Sequence, residues 1–101
     1  MPKREQLEEL LKADPDDVFL QYALAMSYVA EGDASEGISR FATIIDGNPD
    51  YVAAYFQSGQ LLADQGDTEE ARSIITTGIE AARRVGDDHA ESEMIGFLQL
   101  L

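Results

Sequence analysis

The chain reads DPDDVFLQYALAMSYVAEGD over residues 14–33 and NPDYVAAYFQSGQLLADQGD over residues 48–67. The separation between Pro15 and Pro49 is also the separation between Gly32 and Gly66, and we call it the repeat offset. Further identities at the repeat offset fall at turns and apolar positions: Asp16 and Asp50, Val18 and Val52, Asp33 and Asp67, Glu36 and Glu70, Ser39 and Ser73, Ile45 and Ile79. A fixed period of this size is typical of a stacked array of small supersecondary units.

Each repeat is predicted to form two helices. Residues 16–31 are apolar on nearly every face, which indicates a first helix that is mostly buried. The second helices, predicted over residues 34–47 and 68–84, each carry one apolar stripe with spacings of three and four residues. Two pairs of adjacent isoleucines are β-branched, but neither pair lies in an alternating run, so strands are the less favoured alternative.

A glycine followed by an aspartate separates the two helices of each repeat. Gly32 can take the left-handed conformation that ends a helix without a side-chain clash. Asp33 then begins the next helix, and Glu36 follows three residues later, which is the spacing of a capping box. The same signal recurs in the second repeat, where Gly66 and Asp67 separate the helices.

The two ends of the chain are predicted to be partial repeats. Residues 3–13 are predicted to form an amphipathic helix. Its leucines lie one repeat offset before apolar positions of the helix predicted over residues 34–47. Residues 87–101 are predicted to form a final helix that is equivalent to the first helix of a repeat. Solenoids need such end pieces, because a terminal repeat would otherwise expose its apolar face. We therefore predict one domain, residues 1–101, of six antiparallel helices: a half repeat, full repeats over 14–49 and 50–84, and a terminal helix.

Acidic residues dominate the charge of this 101-residue chain, because 20 Asp and Glu oppose 7 Lys and Arg and give a formal net charge of −13. Such a charge disfavours binding to nucleic acid or to an anionic membrane surface. No apolar run is long enough for a membrane span and the N-terminal residues lack the apolar block of a signal peptide, so we expect a cytoplasmic location. The sequence has no cysteine, which excludes disulfides, thiolate metal sites and cysteine nucleophiles.

The sequence offers little for catalysis or for metal binding. His89 is its one histidine, whereas a catalytic triad needs a nucleophile, a base and an orienting acid, and a multi-histidine metal site needs several histidines. Most aspartates stand at predicted helix starts, where carboxylates cap free amide groups. Glycine-rich phosphate loops are also missing. We therefore expect no enzymatic activity, no metal and no cofactor.

These features resemble the tetratricopeptide repeat (TPR) family, whose pattern is an aromatic residue, Leu-Gly and Tyr on the first helix, then Ala, Phe, Ala and Pro. The resemblance implies an all-α fold, in which the helix pairs stack into a right-handed α-α superhelix. The residues that match the packing positions of this pattern are Ala25, Tyr28, Phe41, Tyr55, Gly59, Leu62, Ala71 and Ile75. The first repeat departs from the pattern at Gln21 and Gly37. Arg83 replaces the proline of the second repeat, so we expect that helix to run longer and to shift the register of the last one.

In TPR proteins the first helices line a concave groove, and the resemblance implies which side chains of this chain face it. The predicted groove residues are Phe19, Tyr22, Met26, Phe56, Gln60, Asp64, Met94 and Phe97. A lining of aromatic residues and methionine suits an apolar stripe on a helix or extended segment, although several of these side chains could instead belong to the core. The predicted groove has no basic residue, which disfavours the clamp with which one TPR subclass binds the C-terminal carboxylate of chaperones.

The resemblance therefore implies a non-catalytic scaffold that binds a protein or peptide. Carboxylates beside the groove favour a partner that is basic and partly apolar. The alternative is a self-associating module or a part of a longer array, because residues 94–101 are very apolar for a cap that faces water. In that case the last helix would form a homodimer contact or meet a continuation of the array, unless it packs back on the stack.

The acidic surplus has a second interpretation, since so many carboxylates and only two lysines resemble the surfaces of proteins from salt-loving organisms. Adaptation to salt predicts that the melting temperature rises between low and molar salt, because the Debye length falls to about 3 Å at 1 M and self-repulsion is screened. Thermal unfolding followed by circular dichroism across this range measures the effect. A melting temperature that does not rise would contradict adaptation and favour a basic partner.

Overall fold

The computed structural model describes residues 4–101, and Lys3, where we predicted the first helix to begin, lies outside them. The described residues form six α-helices and no strand: α1 (Arg4–Ala13), α2 (Val18–Ala30), α3 (Ala34–Gly47), α4 (Val52–Asp64), α5 (Thr68–Val85) and α6 (Asp88–Leu98). Each helix packs against the next one along the chain, and α4 also contacts α6. The predicted all-α repeat fold is confirmed.

Three of the turns between helices share one geometry. Gly32, Gly66 and Gly86 have φ angles of 91°, 85° and 74°, in the left-handed region where only glycine avoids a side-chain clash. Each of these glycines donates its N–H to the carbonyl three residues earlier, and the aspartate that follows donates to the carbonyl five residues earlier. This pair of bonds satisfies the last free carbonyls of α2, α4 and α5 and stops each helix at the same point of its repeat.

The predicted capping box forms only in part. The Asp33 Oδ1 atom accepts a hydrogen bond from the Glu36 N–H at 3.1 Å. The Glu36 carboxylate does not return to Asp33 but accepts a bond from Arg40, one turn further along α3. Asp67 makes no side-chain bond to its helix, so the second predicted box is wrong. The Gly-Asp turns are therefore fixed by the glycine, with the acidic cap as a smaller contribution.

Helix α5 is longer than its counterpart in the first repeat, as expected from the missing proline. It has 18 residues, whereas α3 has 14. As a result the start of the last helix does not follow the repeat offset. Helices α2 and α4 begin at Val18 and Val52, which are separated by the repeat offset, but α6 begins at Asp88, two residues later than the same offset predicts. This shift decides which side chains of α6 face the stack.

Two clusters of buried side chains form the core. One surrounds Phe41 between α2, α3 and α4, and the other surrounds Tyr55 and Met94 between α4, α5 and α6. Gly78 lies where the second cluster is tightest, because a Cβ atom added there would lie 2.6 Å from the Tyr55 Cβ and 2.8 Å from the Met94 Sδ. The absence of a side chain at Gly78 thus lets α5 approach both of its neighbours.

We predict that Gly78→Ala lowers the free energy of unfolding by about 1–3 kcal/mol, because the new methyl group overlaps the base of the Tyr55 side chain and overpacks the core. The matched control is Gly96→Ala in α6, where nothing lies within 4 Å of the added Cβ. There alanine should raise stability by up to about 1 kcal/mol, since it is the better helix former. Urea unfolding measures both variants. Equal changes in the two would contradict the close packing at Gly78.

Candidate binding groove

The side chains assigned to packing between helices are buried, with one exception. Ala25, Phe41, Ala71 and Ile75 are wholly inaccessible, and Tyr55, Gly59 and Leu62 are nearly so. Tyr28 is only half-buried. Its ring lies between the guanidinium groups of Arg4 and Arg40, which are 5.1 Å and 4.7 Å from the ring centroid. Tyr28 therefore stacks on cations at the surface, where α1, α2 and α3 meet.

Tyr55 ties the turn before α4 to the end of α5. Its hydroxyl donates a 2.6 Å hydrogen bond to the Pro49 carbonyl, which also accepts a bond from Arg84. Arg84 pairs with Asp50 at 2.8 Å in the same turn. Burial raises the pKa of Tyr55, and the nearby Arg84 charge partly opposes this. The phenol thus stays protonated and able to donate at neutral pH, which fixes the start of α4 relative to α5.

Helix α2 contributes the first part of the predicted groove. Phe19 is 66% exposed, whereas Tyr22 is half-buried, with its ring centroid 5.7 Å from that of Phe41 and 5.4 Å from that of Tyr51. Burial, followed by the proximity of Tyr51, raises the pKa of Tyr22. Met26 packs against the same core cluster. The α2 surface thus consists of one free aromatic ring beside side chains that the core holds in place.

Helix α4 contributes Phe56, Gln60 and Asp64, whose spacing of four residues places them on one face. Phe56 and Gln60 are half-buried and Asp64 is exposed. Phe56 meets Phe97 of α6 edge-on, with ring centroids 5.8 Å apart and an angle of 70° between the rings. This is the arrangement that aromatic pairs prefer, so Phe56 is held on one side and accessible on the other.

Met94 does not line the groove, and its predicted place there is wrong. It is 0% exposed and belongs to the core cluster around Tyr55. The reason is the register of α6. At the repeat offset Met94 would match Gln60, but α6 starts two residues later than that offset predicts. By its position along the helix Met94 therefore matches Ser58 of α4, which is buried at 4% exposure.

The apolar end of the chain largely packs back on the stack. Ile95, Phe97 and Leu98 all contact the core cluster around Tyr55. The Leu101 carbonyl accepts a 2.8 Å hydrogen bond from Arg72 of α5, which holds the last residue against the neighbouring helix. Leu100 is the exception, at 82% exposure.

The positive charges lie away from the groove. Helices α2, α4 and α6 carry no Lys or Arg. Each Lys or Arg of residues 4–101 lies on α1, α3 or α5 and forms an ion pair. The pairs are Arg4–Glu31, Lys12–Glu9, Arg40–Glu36, Arg72–Glu69, Arg83–Glu91 and Arg84–Asp50. His89 is exposed and lies 3.3 Å from Glu93. Asp64 has no ion pair within residues 4–101, and it is the charged side chain among the predicted groove residues.

The predicted groove side chains are aromatic rings, a thioether, an amide and the Asp64 carboxylate, and they suit apolar contact, hydrogen bonding and ion pairing. Over residues 4–101 no three His, Asp or Glu side chains come together as a metal site would require. Within the same residues, no helix combines the length and the apolar character needed to cross a membrane.

Two features of the stack were missed in the sequence although their signals are present. Gly86-Asp87 repeats the Gly-Asp pair that ends α2 and α4. The last helix was predicted from residue 87, but this turn was not recognised, and Met94 was assigned by the repeat offset instead of by the position along α6. Gly78 follows Ile75 by three residues on the buried stripe of α5, the spacing at which one helix face is shared. The first feature affects the register of α6, and the second affects how closely α6 packs against α5. The prediction for Met94 depended on both.

These successive helix pairs, each packed on the next, define a helical-repeat protein. Two family models, both described as tetratricopeptide repeat, match residues 28–90 and residues 1–51. A TPR repeat-containing protein of Pseudomonas aeruginosa is 31% identical over 97 residues, which cover 96% of this chain and 92% of that protein. The chain belongs to the TPR family.

Solved structures of similar proteins have the same fold. The solution structure of a TPR domain protein from Salinibacter ruber matches with a TM-score of 0.81 and 32% identity, over 85% of this chain and 87% of that one. The solution structure of a Bordetella parapertussis protein matches with a TM-score of 0.84 and 27% identity, over 98% of this chain and 86% of that one. TPR domains are generally non-catalytic scaffolds, and membership of the family suggests a protein-protein interaction module.

We predict that Met94→Ala and Phe19→Ala have very different effects on stability. Met94→Ala should lower the free energy of unfolding by about 2–5 kcal/mol, because it leaves a cavity in the core. Phe19→Ala should change it by less than about 0.5 kcal/mol, because the ring is largely exposed. Urea unfolding of both variants tests the assignment. A large loss for Phe19→Ala would place that ring in the core instead of on the open surface.

Proposed function

We propose that this protein is a non-catalytic module that binds a basic, partly apolar peptide or helix of a partner protein. The binding surface is the groove on α2, α4 and α6, formed by Phe19, Tyr22, Met26, Phe56, Gln60, Asp64 and Phe97. The observation that carries the proposal is the presence of both an exposed ring, Phe19, and aromatic side chains, Tyr22 and Phe56, that are already fixed on one side. The expected cytoplasmic location stays a prediction from the sequence.

The fixed rings support binding because they lose little freedom when a partner covers them. Tyr22 rests on Phe41 and Tyr51, and Phe56 rests on Phe97. A partner then gains buried apolar area without having to order these side chains, a cost of about 0.5–1.5 kcal/mol for each flexible side chain. Met26, four residues after Tyr22 on α2, adds an adaptable apolar side chain. The groove thus offers preorganised apolar contacts that suit a stripe of apolar residues.

The charge distribution supports a basic partner. The chain carries a net charge of −13, and the helices that form the groove contribute no Lys or Arg. Charge complementarity of this kind mainly speeds association and selects against acidic competitors, while the apolar contacts determine how slowly the complex separates. Association should therefore slow as salt is added, and dissociation should change much less.

A peptide selected on the protein from a random display library tests the proposal. We predict that selected sequences are rich in Lys or Arg and in apolar residues, and that Phe56→Ala combined with Asp64→Lys weakens binding at least about tenfold, since a central aromatic contact and a favourable charge are both lost. Isothermal titration calorimetry measures the affinity.

The matched control is Asp46→Lys, which reverses the charge of an exposed aspartate on α3, outside the groove. It should lower the affinity by much less than the groove variant. Equal weakening would show that only the overall charge matters and would contradict the groove as the binding surface. Light scattering accompanies the titration: a mass that stays near 11.1 kDa at all concentrations would contradict the self-associating alternative.

A further inference from the structure

The two full repeats differ on the side of the stack away from the groove, where the second helices lie. In the first repeat the Tyr28 ring is enclosed by Arg4 of α1 and Arg40 of α3. Both arginines are held by carboxylates, Arg4 by Glu31 at 3.0 Å and Arg40 by Glu36 at 2.9 Å. This Arg-Tyr-Arg stack covers part of the surface between α1 and α3. A cavity of about 240 Å³ remains beside it, and Glu36 and Arg40, which line it, are already paired with each other.

The second repeat has lost the stack and kept one of its carboxylates. At the repeat offset, Ile38 replaces Arg4, Leu62 replaces Tyr28, Ile74 replaces Arg40, and Glu70 stands where the first repeat has Glu36. Glu36 is paired with Arg40, but Glu70 is exposed and forms no ion pair within residues 4–101. The second repeat thus keeps the acid that would hold an arginine and lacks the arginine.

A cavity lies where the arginine is missing. It has a volume of about 240 Å³ and lies between α3 and α5, with Ile38 and Ala42 on one side and Ile74 and Glu70 on the other. Leu62 of α4 forms its floor and is 7% exposed. Ser58 of α4 and Ser73 of α5 complete the lining, so the walls are mostly apolar with two hydroxyl groups. Glu70 adds a carboxylate that has no ion pair within residues 4–101.

We propose that this cavity binds an arginine of a partner protein, with the aliphatic stem between Ile38 and Ile74 and the guanidinium group at the Glu70 carboxylate. An arginine has this combination of apolar stem and charged head, and its planar group can pair with both carboxylate oxygens. In the first repeat the carboxylate at the equivalent position, Glu36, accepts a 2.9 Å hydrogen bond from Arg40, one turn further along the same helix. An apolar residue next to the arginine would cover the rest of the cavity.

The occupant is not a second copy of this chain. All five arginines of the sequence are already in ion pairs with its own carboxylates. A copy would have to give up one of these pairs to offer an arginine, whereas another protein with a free arginine gives up none. The site lies on helices α3 and α5, outside the groove of the proposed function, and does not depend on that proposal.

Nuclear magnetic resonance titration with the peptide acetyl-Leu-Arg-Leu-amide tests the site. The expected result is a change in the backbone amide signals of Ile38, Ala42, Leu62, Glu70 and Ile74 as peptide is added. The matched probe is the same peptide with citrulline in place of arginine, which has nearly the same shape and no charge. It should bind about fivefold more weakly, the upper range for an exposed ion pair.

Two variants test whether the Glu70 carboxylate binds the arginine of the peptide. Glu70→Gln should weaken binding of the arginine peptide about fivefold and leave the citrulline peptide unaffected. The control is Glu80→Gln, an equal loss of charge at an exposed residue ten positions further along α5, about 15 Å away, and it should leave both affinities unchanged.

Signal changes confined to Phe19, Tyr22 and Phe56 would overturn the site and leave the groove proposal standing. No signal changes, equal binding of both peptides, or equal effects of Glu70→Gln and Glu80→Gln would also overturn it. Both substitutions are at exposed positions, and the circular dichroism spectrum of each variant confirms that the fold is retained.

Discussion

The packing of Tyr55 among three helices is the contact on which both candidate surfaces depend. Its ring is 2% exposed, Gly78 of α5 leaves room for its Cβ, and its hydroxyl holds the Pro49 carbonyl in the turn before α4. Phe56, its neighbour in sequence, therefore faces the groove from a fixed backbone. Leu62, two turns further along the same helix, faces the cavity between α3 and α5. A movement of α4 would displace both side chains together.

Glycine makes this packing possible at two points of the α4–α5 contact. A Cβ at Gly59 would lie 2.5 Å from the Ile75 Cγ1, so the backbone of α4 rests almost directly on a buried isoleucine. Gly78 has the corresponding role on α5. Each glycine weakens its own helix by about 1 kcal/mol relative to alanine, and the close contact between the two helices offsets this loss. The stack is thus held by tertiary packing and not by the propensity of its helices.

The fold could be predicted from the sequence because its signals are local and repeated. Gly32 and Gly66 mark helix ends by a backbone conformation that other residues avoid, and the apolar stripes give the buried faces. The position of Met94 could not be predicted from the repeat, because its place depends on where α5 stops. Neither the length of α5 nor the Arg72 bond to the Leu101 carbonyl follows from the repeat offset. The proposed groove residues of α2 and α4 follow from the repeat, but the burial of Met94 and the contact of Phe97 with Phe56 do not.

The two repeats have the same fold but present different side chains at their surfaces. Tyr28 and Leu62 occupy equivalent positions at the repeat offset, and α2 and α4 both have 13 residues. The fold thus accepts a tyrosine stacked on two arginines or a leucine beneath an open cavity. In the first repeat Glu31 and Glu36 are paired with the two arginines of the stack, so these carboxylates have little to offer a charged partner. In the second repeat Glu70 has no ion pair within residues 4–101 and lies beside mostly apolar walls. A charge in this setting selects its partner more strongly than the diffuse negative charge of the remaining surface, which salt screens over about 10 Å.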